Sequence, residues 1–481
     1  MHDTPLLHYV ALLVNKYHFA LYRDVFETSM PGTFLFHLAI GKWLNYSDLA
    51  FRLVDIGWLG LLATISFGFL KTFSRRVAWA GTLLFALAYY QLGHNAILQR
   101  DYLGVLPLAA AIWLTITPLR LPSGWRAFFI GLLFGAAATV KPHLALGMLA
   151  LFFLPGFVPA EKAGSYGKSL RRLFLPAFAG FILPPFFCVL WLWRVGSLPY
   201  FWEMLTSYLP LHVQLNGDHR LLFGWEKVKY LLVGLKHLGG HSLWLIPALS
   251  GVALTLHWGG LSGRQKRAVW LLVAMTLAYN IYPVLSGQFW DYHWIPFLYC
   301  IILLSSLVLM PLPEGFKPKW LRLVPVAILM TVTILALRPP ADFLLQVRGI
   351  PIPAPKQGTV DDLARFMRAN VGPDDCVQPL DWVGGAIHAM LLARVRIATP
   401  FMYDYHFYHH ISNPFVQQLR KRFLEKLKKS QPKFIIEVTN MHKGKVSGAD
   451  TTEDFPQLQR LLATSYTVRE KCLRYTIYRR K

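Results

Sequence analysis

The sequence predicts a mainly α fold: a polytopic helical membrane bundle of about ten or eleven spans, with interfacial jaw helices and a C-terminal extracytoplasmic α/β domain. Composition is the first reason, because the 481-residue chain is 54% hydrophobic, only 15% charged and has a mean hydropathy of +0.39. The second is that apolar runs long enough to cross a bilayer alternate with short polar connectors. The third is a change of character near residue 345, where charged residues and helix and strand signals begin.

Ten apolar runs predict the transmembrane spans. They lie at 48–70, 77–93, 102–119, 127–140, 143–160, 173–195, 241–257, 268–287, 293–311 and 323–338. Lys and Arg are concentrated in the connectors at 71–76, 120–126, 161–172, 262–267 and 314–322. The positive-inside rule assigns these connectors to the cytoplasm. The other connectors and both termini are therefore predicted on the extracytoplasmic side of the membrane.

An outer N-terminus usually needs a signal or a preceding span to cross the membrane. Neither is visible in the opening residues, so we expect the intact protein to have one more span upstream. Residues 1–47 are then the first extracytoplasmic loop, 48–338 the transmembrane bundle and 345–481 the soluble outer domain. Within 1–47, an apolar stripe interrupted by His37 and Lys42 predicts a helix lying in the membrane interface, and segment 197–240 has the same character.

The outer domain contains local sequence signals for both helices and strands. Residues 359–372 predict a helix with Thr359 as its N-cap, and residues 413–430 predict an amphipathic helix. Strands are predicted at 375–382 and 433–438, and one or two more at 466–480. Cys376 and Cys472 fall on predicted strands, where they are either bonded to each other or free, since pairing cannot be deduced from sequence.

A net charge of +24 raises the question of nucleic acid. No zinc-finger, RNP or basic-zipper pattern is present, and the basic residues occupy the connectors and the soluble tail, so we exclude a nucleic-acid partner. Residues 403–410, YDYHFYHH, contain three histidines without the spacing of a zinc site, and we interpret them as a surface loop of the outer domain. No cofactor is predicted; a divalent metal is possible but not indicated.

Ionisable side chains are concentrated at the predicted outer ends of the spans. Such groups are costly near a membrane unless they are solvated or paired, which makes them functional candidates. Individually each also has a structural explanation, such as helix capping by Asp101 or extension of Lys141 to the interface. Arg52 and Asp55, three residues apart, are predicted to form an intrahelical ion pair. The outer-face candidates are Asp3, Arg23, Asp24, Arg100, Asp101, Lys141, His143, Asp291 and His293.

The order of these features resembles the polytopic GT-C glycosyltransferases, in particular the branch of the aminoarabinose and protein-mannosyl transferases. The matching passages are the polar opening at 2–37, QRDYL at 99–103, VKPH at 140–143 and GQFWDYHWIP at 287–296. Each passage alone is weak, and their order across nearly the whole chain carries the resemblance. It implies transfer of a sugar from a polyprenyl-phosphate carrier to an extracytoplasmic glycan, lipid or protein.

The resemblance also implies roles for the acidic residues. An acid after the first span is the family's catalytic base, and an acid in the second outer loop assists it. These roles fall on Asp3 and Asp101, with Asp24 as the alternative for the first. Asp3 stands at the extreme N-terminus, where it could not be held with the accuracy that catalysis needs. We therefore leave open three alternatives: an upstream extension of the chain, Asp24 as the base, or an inactive protein.

The chemistry asks for the same residue types. A carboxylate can take the proton of an incoming hydroxyl, and cations can stabilise the departing phosphate. Transfer is expected to invert the anomeric carbon without a covalent intermediate. Two other functions remain open: a polymerase or ligase acting on lipid-linked glycans, and a transporter or flippase, although no inverted repeat is visible. The candidates for binding the donor phosphate and lipid are Arg100, Lys141, His143, Gln288, Tyr292 and His293.

Overall fold

The computed structural model describes residues 4–153, 166–258, 260–311, 323–337, 347–349, 358–382, 384–439, 446 and 448–481. Asp3 and parts of the predicted cytoplasmic connectors, 161–165 and 314–322, lie outside these residues. The chain divides into two compact units. One, the bundle unit, comprises Arg52–Cys188 and Lys229–Ile352; the other, the mixed unit, comprises Met1–Phe51, Val189–Val228 and Pro353–Lys481.

Helices occupy all ten predicted span positions. Their bounds are Asp48–Leu70, Arg75–Gln91, Val105–Ile116, Ser123–Val140, Leu146–Phe153, Tyr166–Arg194, Leu245–Trp258, Gly263–Ser286, Ile295–Ser306 and Leu323–Ala336. By length and composition, five stretches among the described residues can cross a membrane, and a sixth if the bent pair Gly224–Gly240 and Ser242–His257 counts as one span. The predicted fold class, a mainly α membrane bundle with a C-terminal α/β part, is confirmed.

Local sequence sets the ends of the bundle helices. The Ser262 side chain accepts a hydrogen bond from the backbone N–H of Gln265, whose side chain returns to Ser262, and this capping box starts helix Gly263–Ser286. Gly287 ends the same helix with φ +71°, a left-handed conformation that favours glycine. Ser74 caps helix Arg75–Gln91 in the same way by accepting from Val77. Capping residues therefore determine where these apolar helices begin and end.

Small residues allow two bundle helices to pack closely. A side chain at Gly131 or Gly135 of helix Ser123–Val140 would collide with the backbone of Ala177 or Phe181 on helix Tyr166–Arg194. A side chain at Gly180 would likewise meet the backbone of Phe128. Membrane helices commonly associate through such small residues, because dispersion contacts replace the hydrophobic effect in lipid. These glycines position the end of helix Ser123–Val140, from which Lys141 follows.

The mixed unit contains a five-stranded sheet. Its strands are β1 Cys376–Leu380, β2 Arg396–Ile397, β3 Phe434–Val438, β4 Tyr466–Lys471 and β5 Tyr475–Arg480, in the order β2-β1-β3-β5-β4. β1 runs parallel to β2 and β3, whereas β5 is antiparallel to β3 and β4. The predicted strands at 375–382, 433–438 and 466–480 are confirmed, the last as a hairpin.

Helices cover this sheet, including one from the N-terminus. Helix Thr4–Tyr17 is buried from Thr4 to Leu13, and the Tyr9 hydroxyl donates to the carbonyl of Val395 at 2.8 Å. Its apolar residues join one hydrophobic core with the helices and strands that follow residue 358. The mixed unit is thus built from residues far apart in sequence. Its helices are Thr4–Tyr17, Pro31–Leu44, Leu198–Glu203, Leu209–His212, Thr359–Asn370, Ala386–Ala393, Pro414–Ser430 and Pro456–Ser465.

Two details of the outer domain differ from expectation. The N-cap of helix Thr359–Asn370 is Gly358, and Thr359 is its first helical residue. Helix Ala386–Ala393 and strand Arg396–Ile397, which the sequence did not indicate, lie between the two predicted parallel strands. Cys376 is buried and Cys472 is exposed, and both are free thiols, so the alternative of a disulfide is wrong.

Candidate functional site in the bundle unit

Asp101 is the most deeply buried acid of the bundle unit. It lies on the short helix Arg100–Leu103 and has no exposed surface. Its Oδ1 accepts hydrogen bonds from Lys141 Nζ at 2.9 Å and from the Tyr282 hydroxyl. Its Oδ2 has no hydrogen-bond partner among the described residues. Burial favours the protonated acid, but the positive charge of Lys141 and the hydrogen bonds from Tyr282 and Lys141, together with its other neighbours, outweigh burial and hold the pKa of Asp101 below its ordinary value.

Lys141 reaches Asp101 because its helix stops abruptly. The next residue, Pro142, disfavours helical backbone at Lys141, which adopts φ −154° and ψ 116° after helix Ser123–Val140. The ammonium group lies 5.0 Å from the centre of the Tyr282 ring, in cation–π geometry, and 12% of the side chain remains exposed. Lys141 is thus a cation fixed from two sides that retains a small exposed surface.

His293 lies beside Tyr282, in the turn that precedes the buried helix Ile295–Ser306. Its Nδ1 is 2.9 Å from the carbonyl oxygen of Gln288 and 3.1 Å from the Ser286 hydroxyl. Because a carbonyl only accepts, Nδ1 carries the hydrogen, and Nε2 is the acceptor nitrogen of the neutral ring. The His293 ring is in edge contact with the Tyr282 ring, with centroids 6.4 Å apart. His293 therefore adds positive charge only when it is protonated.

The other predicted phosphate residues contact either Tyr282 or His293, or lie next to Asp101. The ring of His143 is in edge contact with that of Tyr282 at 6.2 Å, and the Tyr292 ring contacts His293 at 4.8 Å. Arg100 is half-buried next to Asp101. Its guanidinium interacts electrostatically with Tyr282. The Gln288 side chain accepts from Trp290 Nε1 at 3.1 Å, and its backbone carbonyl binds His293.

The sequence did not single out Tyr282, which links these residues. It stands in the apolar run that forms helix Gly263–Ser286, where a tyrosine is ordinarily a packing residue. A second hydroxyl, that of Tyr279, donates to the carbonyl of Leu144 at 2.8 Å and holds this helix against the turn after Lys141. Asp291, by contrast, is exposed and takes no part in the cluster. The only available signal was that Tyr282 lies about one turn before the helix end.

Asp24, the alternative base, belongs to the mixed unit. Its carboxylate accepts from the Arg23 guanidinium at 2.9 Å and from the backbone N–H of Ala20 at 2.8 Å. Partial burial raises the pKa of Asp24, but these two donors outweigh it and bring the pKa below its ordinary value. About a third of the side chain is exposed, at 35%. Asp24 is thus ionised and accessible.

The segment 403–410 is buried, so its interpretation as a surface loop is wrong. His406 is 2% exposed, and its Nδ1 lies 2.5 Å from the Tyr208 hydroxyl. His409 and His410 bond through Nε2 to the carbonyls of His219 and Leu211 at 2.7 and 3.0 Å. Tyrosine and histidine have large apolar bodies, which allows a polar-looking segment to form core. Over the described ranges, no group of three His, Cys, Asp or Glu side chains could hold a metal ion.

No protein-family model and no curated protein matches the chain. Its fold is nevertheless similar to that of solved structures over nearly the whole chain. ArnT from Cupriavidus metallidurans in the apo state has a TM-score of 0.59 at 12% identity, covering 99% of this chain and 93% of the ArnT chain. ArnT bound to undecaprenyl phosphate has a TM-score of 0.58 at 10% identity and the same coverage. The predicted resemblance to the aminoarabinose-transferase branch is confirmed at the level of fold.

Proposed function

We propose that the chain is an integral-membrane glycosyltransferase that takes a sugar from a polyprenyl-phosphate carrier. The observation that carries this proposal is the buried group formed by Asp101, Lys141 and Tyr282. Burying an ion pair is expensive and rarely serves stability alone. A structure with a similar fold was solved with undecaprenyl phosphate, which supports a lipid phosphate as the anion for this site.

Lys141 is the residue we assign to the donor phosphate. When the sugar leaves, negative charge gathers on the phosphate oxygens, and a fixed ammonium stabilises it more in the transition state than in the ground state. Lys141 is prevented from swinging by Asp101 on one side and the Tyr282 ring on the other. Arg100 supplies further positive charge, and His293 does so when protonated.

Asp101 is then a positioning residue. It has no exposed surface, so a substrate hydroxyl does not reach it in the described conformation. Its ionised form orients Lys141 and the Tyr282 hydroxyl together, which is the assisting role implied by the family resemblance. The two candidates for the general base are Asp24, which is accessible, and Asp3. A lowered pKa weakens Asp24 as a base, because proton transfer is most efficient when the pKa lies near the working pH.

The proposed reaction is a single inverting displacement. The acceptor hydroxyl loses its proton to the aspartate base as its oxygen forms a bond to the anomeric carbon. The bond between that carbon and the phosphate oxygen breaks, and the electron pair leaves with the polyprenyl phosphate. No covalent glycosyl-enzyme intermediate forms, because phosphate is already a good leaving group. The acceptor is an extracytoplasmic glycan, lipid or protein, which is consistent with a multi-pass protein of the inner membrane.

Sugar transfer tests this proposal directly. The full chain, reconstituted in liposomes, is supplied with polyprenyl-phosphate monosaccharides labelled in the sugar and with membrane glycolipids as acceptors. We expect release of free polyprenyl phosphate in equal amount to transferred sugar, and lower turnover in Asp101→Asn. Asp24→Asn and Asp3→Asn then identify the base, since only its loss abolishes transfer while donor binding is kept.

Two outcomes would favour the competing functions. Growth of a glycan by repeated addition of the lipid-linked unit would indicate a polymerase or ligase. Movement of the labelled lipid across the liposome membrane, without cleavage of its phosphate–sugar bond, would indicate a flippase and contradict the proposal.

A further inference from the structure

A second buried acid of the bundle unit, Asp55, has an unexpected set of partners. It lies in helix Asp48–Leu70 and is 4% exposed. Its Oδ1 accepts from the Tyr89 hydroxyl at 2.5 Å and from the backbone N–H of Leu98 at 3.3 Å. The predicted ion pair with Arg52 is wrong, because Arg52 is exposed and the carboxylate bonds to Tyr89 and Leu98 instead. Asp55 therefore joins its own helix to the segment that leads to Asp101.

This leading segment has a strained backbone. Leu98 has φ +45°, in the left-handed region that a leucine rarely adopts, and Gly93 has φ +70°. A non-glycine residue in this region costs on the order of 1–3 kcal/mol and persists only where the surroundings hold it. The contact of Asp55 with the N–H of Leu98 is one such restraint, and the Tyr89 hydroxyl, 3.2 Å from the Ala96 carbonyl, is another.

The restrained segment runs directly into the candidate site. Leu98 is three residues before Asp101, and Tyr102, the residue after Asp101, stacks on Tyr89 with ring centroids 4.0 Å apart. Tyr89 thus contacts the chain on both sides of Asp101 while its hydroxyl bonds to Asp55. All of these side chains are at most 4% exposed, so water does not replace the contacts. Displacing Asp55 would release the backbone that carries Asp101.

We propose that Asp55 is a positioning residue for sugar transfer, acting through Tyr89 and Leu98 to fix Asp101 and, through it, Lys141. This inference rests on the proposed function for its catalytic consequence, but the anchoring of residues 92–99 can be measured without it. A carboxylate within an apolar span needs a reason, since a buried acid is costly there. Packing alone would be served by an apolar side chain. The Tyr89 hydroxyl and the Leu98 N–H both donate to this position, so a hydrogen-bond acceptor is needed here.

The anchoring is tested by thiol labelling. Ala96 is 2% exposed, so Ala96→Cys introduces a thiol that is protected while the segment is held. The exposed thiol is removed with Cys472→Ser, and the other three cysteines are buried. We expect Asp55→Ala to raise the rate of maleimide labelling by about tenfold or more, as local opening becomes easier. Asp55→Asn keeps an acceptor oxygen and is expected to restore most of the protection.

The matched control is Ser66→Ala. Ser66 stands on the same helix and its hydroxyl forms a buried hydrogen bond with Tyr299 at 2.7 Å, far in sequence from residues 92–103. Its loss should leave the labelling of Ala96→Cys unchanged. Unaltered protection in Asp55→Ala, or equal deprotection in Ser66→Ala, would overturn the inference.

The catalytic consequence is tested by kinetics. Asp55→Ala is expected to lower kcat on the order of 10²-fold, because a small displacement of a catalytic group has that effect, and Asp55→Asn should recover most of it. In an Asp101→Asn background, Asp55→Ala should have little further effect, since both changes act on one arrangement. Multiplicative losses would overturn a role through Asp101. If the unaltered protein transfers no sugar while labelling still responds to Asp55→Ala, the proposed function fails and the anchor stands.

Discussion

Asp101 and Asp381 are both buried carboxylates, yet their surroundings differ in one respect. Asp101 in the bundle unit is paired with Lys141, whereas Asp381 in the mixed unit accepts from backbone N–H groups, including those of Gly384, Gly385 and Ala386. Burial, with a smaller contribution from the nearby Asp404, raises the pKa of Asp381 to about 6, whereas the positive charge of Lys141 and the other groups around Asp101 together bring the pKa of Asp101 below its ordinary value. Asp101 therefore stays ionised beside a positive partner although it is as deeply buried as Asp381.

Asp24 completes the comparison. Its distance to Arg23 is 2.9 Å, the same as that between Asp101 and Lys141, but both Asp24 and Arg23 are partly exposed. Exposed pairs contribute about 0–1 kcal/mol, whereas removing one member of a buried pair costs about 3–5 kcal/mol. Although the two distances are equal, we expect substitutions in the two pairs to reduce stability by different amounts.

The largest effect is expected from Asp101→Ala. It leaves the largely enclosed Lys141 ammonium with no carboxylate, so the free energy of unfolding should fall by about 3–5 kcal/mol. Unfolding in detergent, followed by circular dichroism, measures the loss. The double variant Asp101→Asn with Lys141→Met removes both charges and should be more stable than the single one. A double variant that is as unstable as Asp101→Ala would contradict the view that the unpaired lysine is the cause.

Tyr282→Phe should have a smaller effect. It deletes only the hydroxyl that donates to Asp101 and leaves the ring against Lys141, so we expect a loss of about 1–3 kcal/mol. Tyr279→Phe, which deletes a buried hydroxyl donating to Leu144, is the control for stability. Sugar transfer should fall more in Tyr282→Phe than in Tyr279→Phe. Equal activities would remove Tyr282 from the site.

The contribution of Asp381 to the free energy of unfolding should depend on pH with the opposite sign to that of Asp101. Because its pKa is about 6 in the folded protein and lower in the unfolded chain, folding favours the protonated form. This stabilisation is complete below the unfolded pKa and is lost as the pH rises through about 6. Between pH 5 and pH 7 it amounts to about 1 kcal/mol. Unfolding of the protein and of Asp381→Asn at both pH values isolates it, since the buried His406, His409 and His410 contribute to both proteins.

The smallest effect on stability is expected for Asp24→Asn, less than about 1 kcal/mol and weaker still in high salt. Thermal unfolding at low and high ionic strength measures it. A loss comparable with that of Asp101→Ala would show that exposure does not separate the two pairs. Its effect on sugar transfer is independent of this and reports whether Asp24 is the base.

The sequence predicted the parts of the molecule that depend on local pattern. Apolar runs located ten of the described bundle helices, and ionisable residues beside those runs drew attention to Asp101, Lys141 and His293, because both signals lie within a few residues. Tyr282 was not predicted, since its partner is 181 positions away and only tertiary packing joins them. The hydrogen bond between Asp55 and Tyr89 was not predicted either, because only tertiary packing brings these two residues together. Segment 403–410 was wrongly predicted to be a surface loop, because tyrosine and histidine occur both on protein surfaces and in cores.

Lipid binding tests the central claim, that the cation fixed by Asp101 receives a lipid phosphate. The measurement is equilibrium binding of undecaprenyl phosphate and of undecaprenol, which lacks the phosphate, to the purified full chain. We predict that the protein prefers the phosphorylated lipid and that the neutral pair Asp101→Asn with Lys141→Met loses this preference, while Arg23→Met in the mixed unit keeps it. An undiminished preference in the neutral pair would contradict the account.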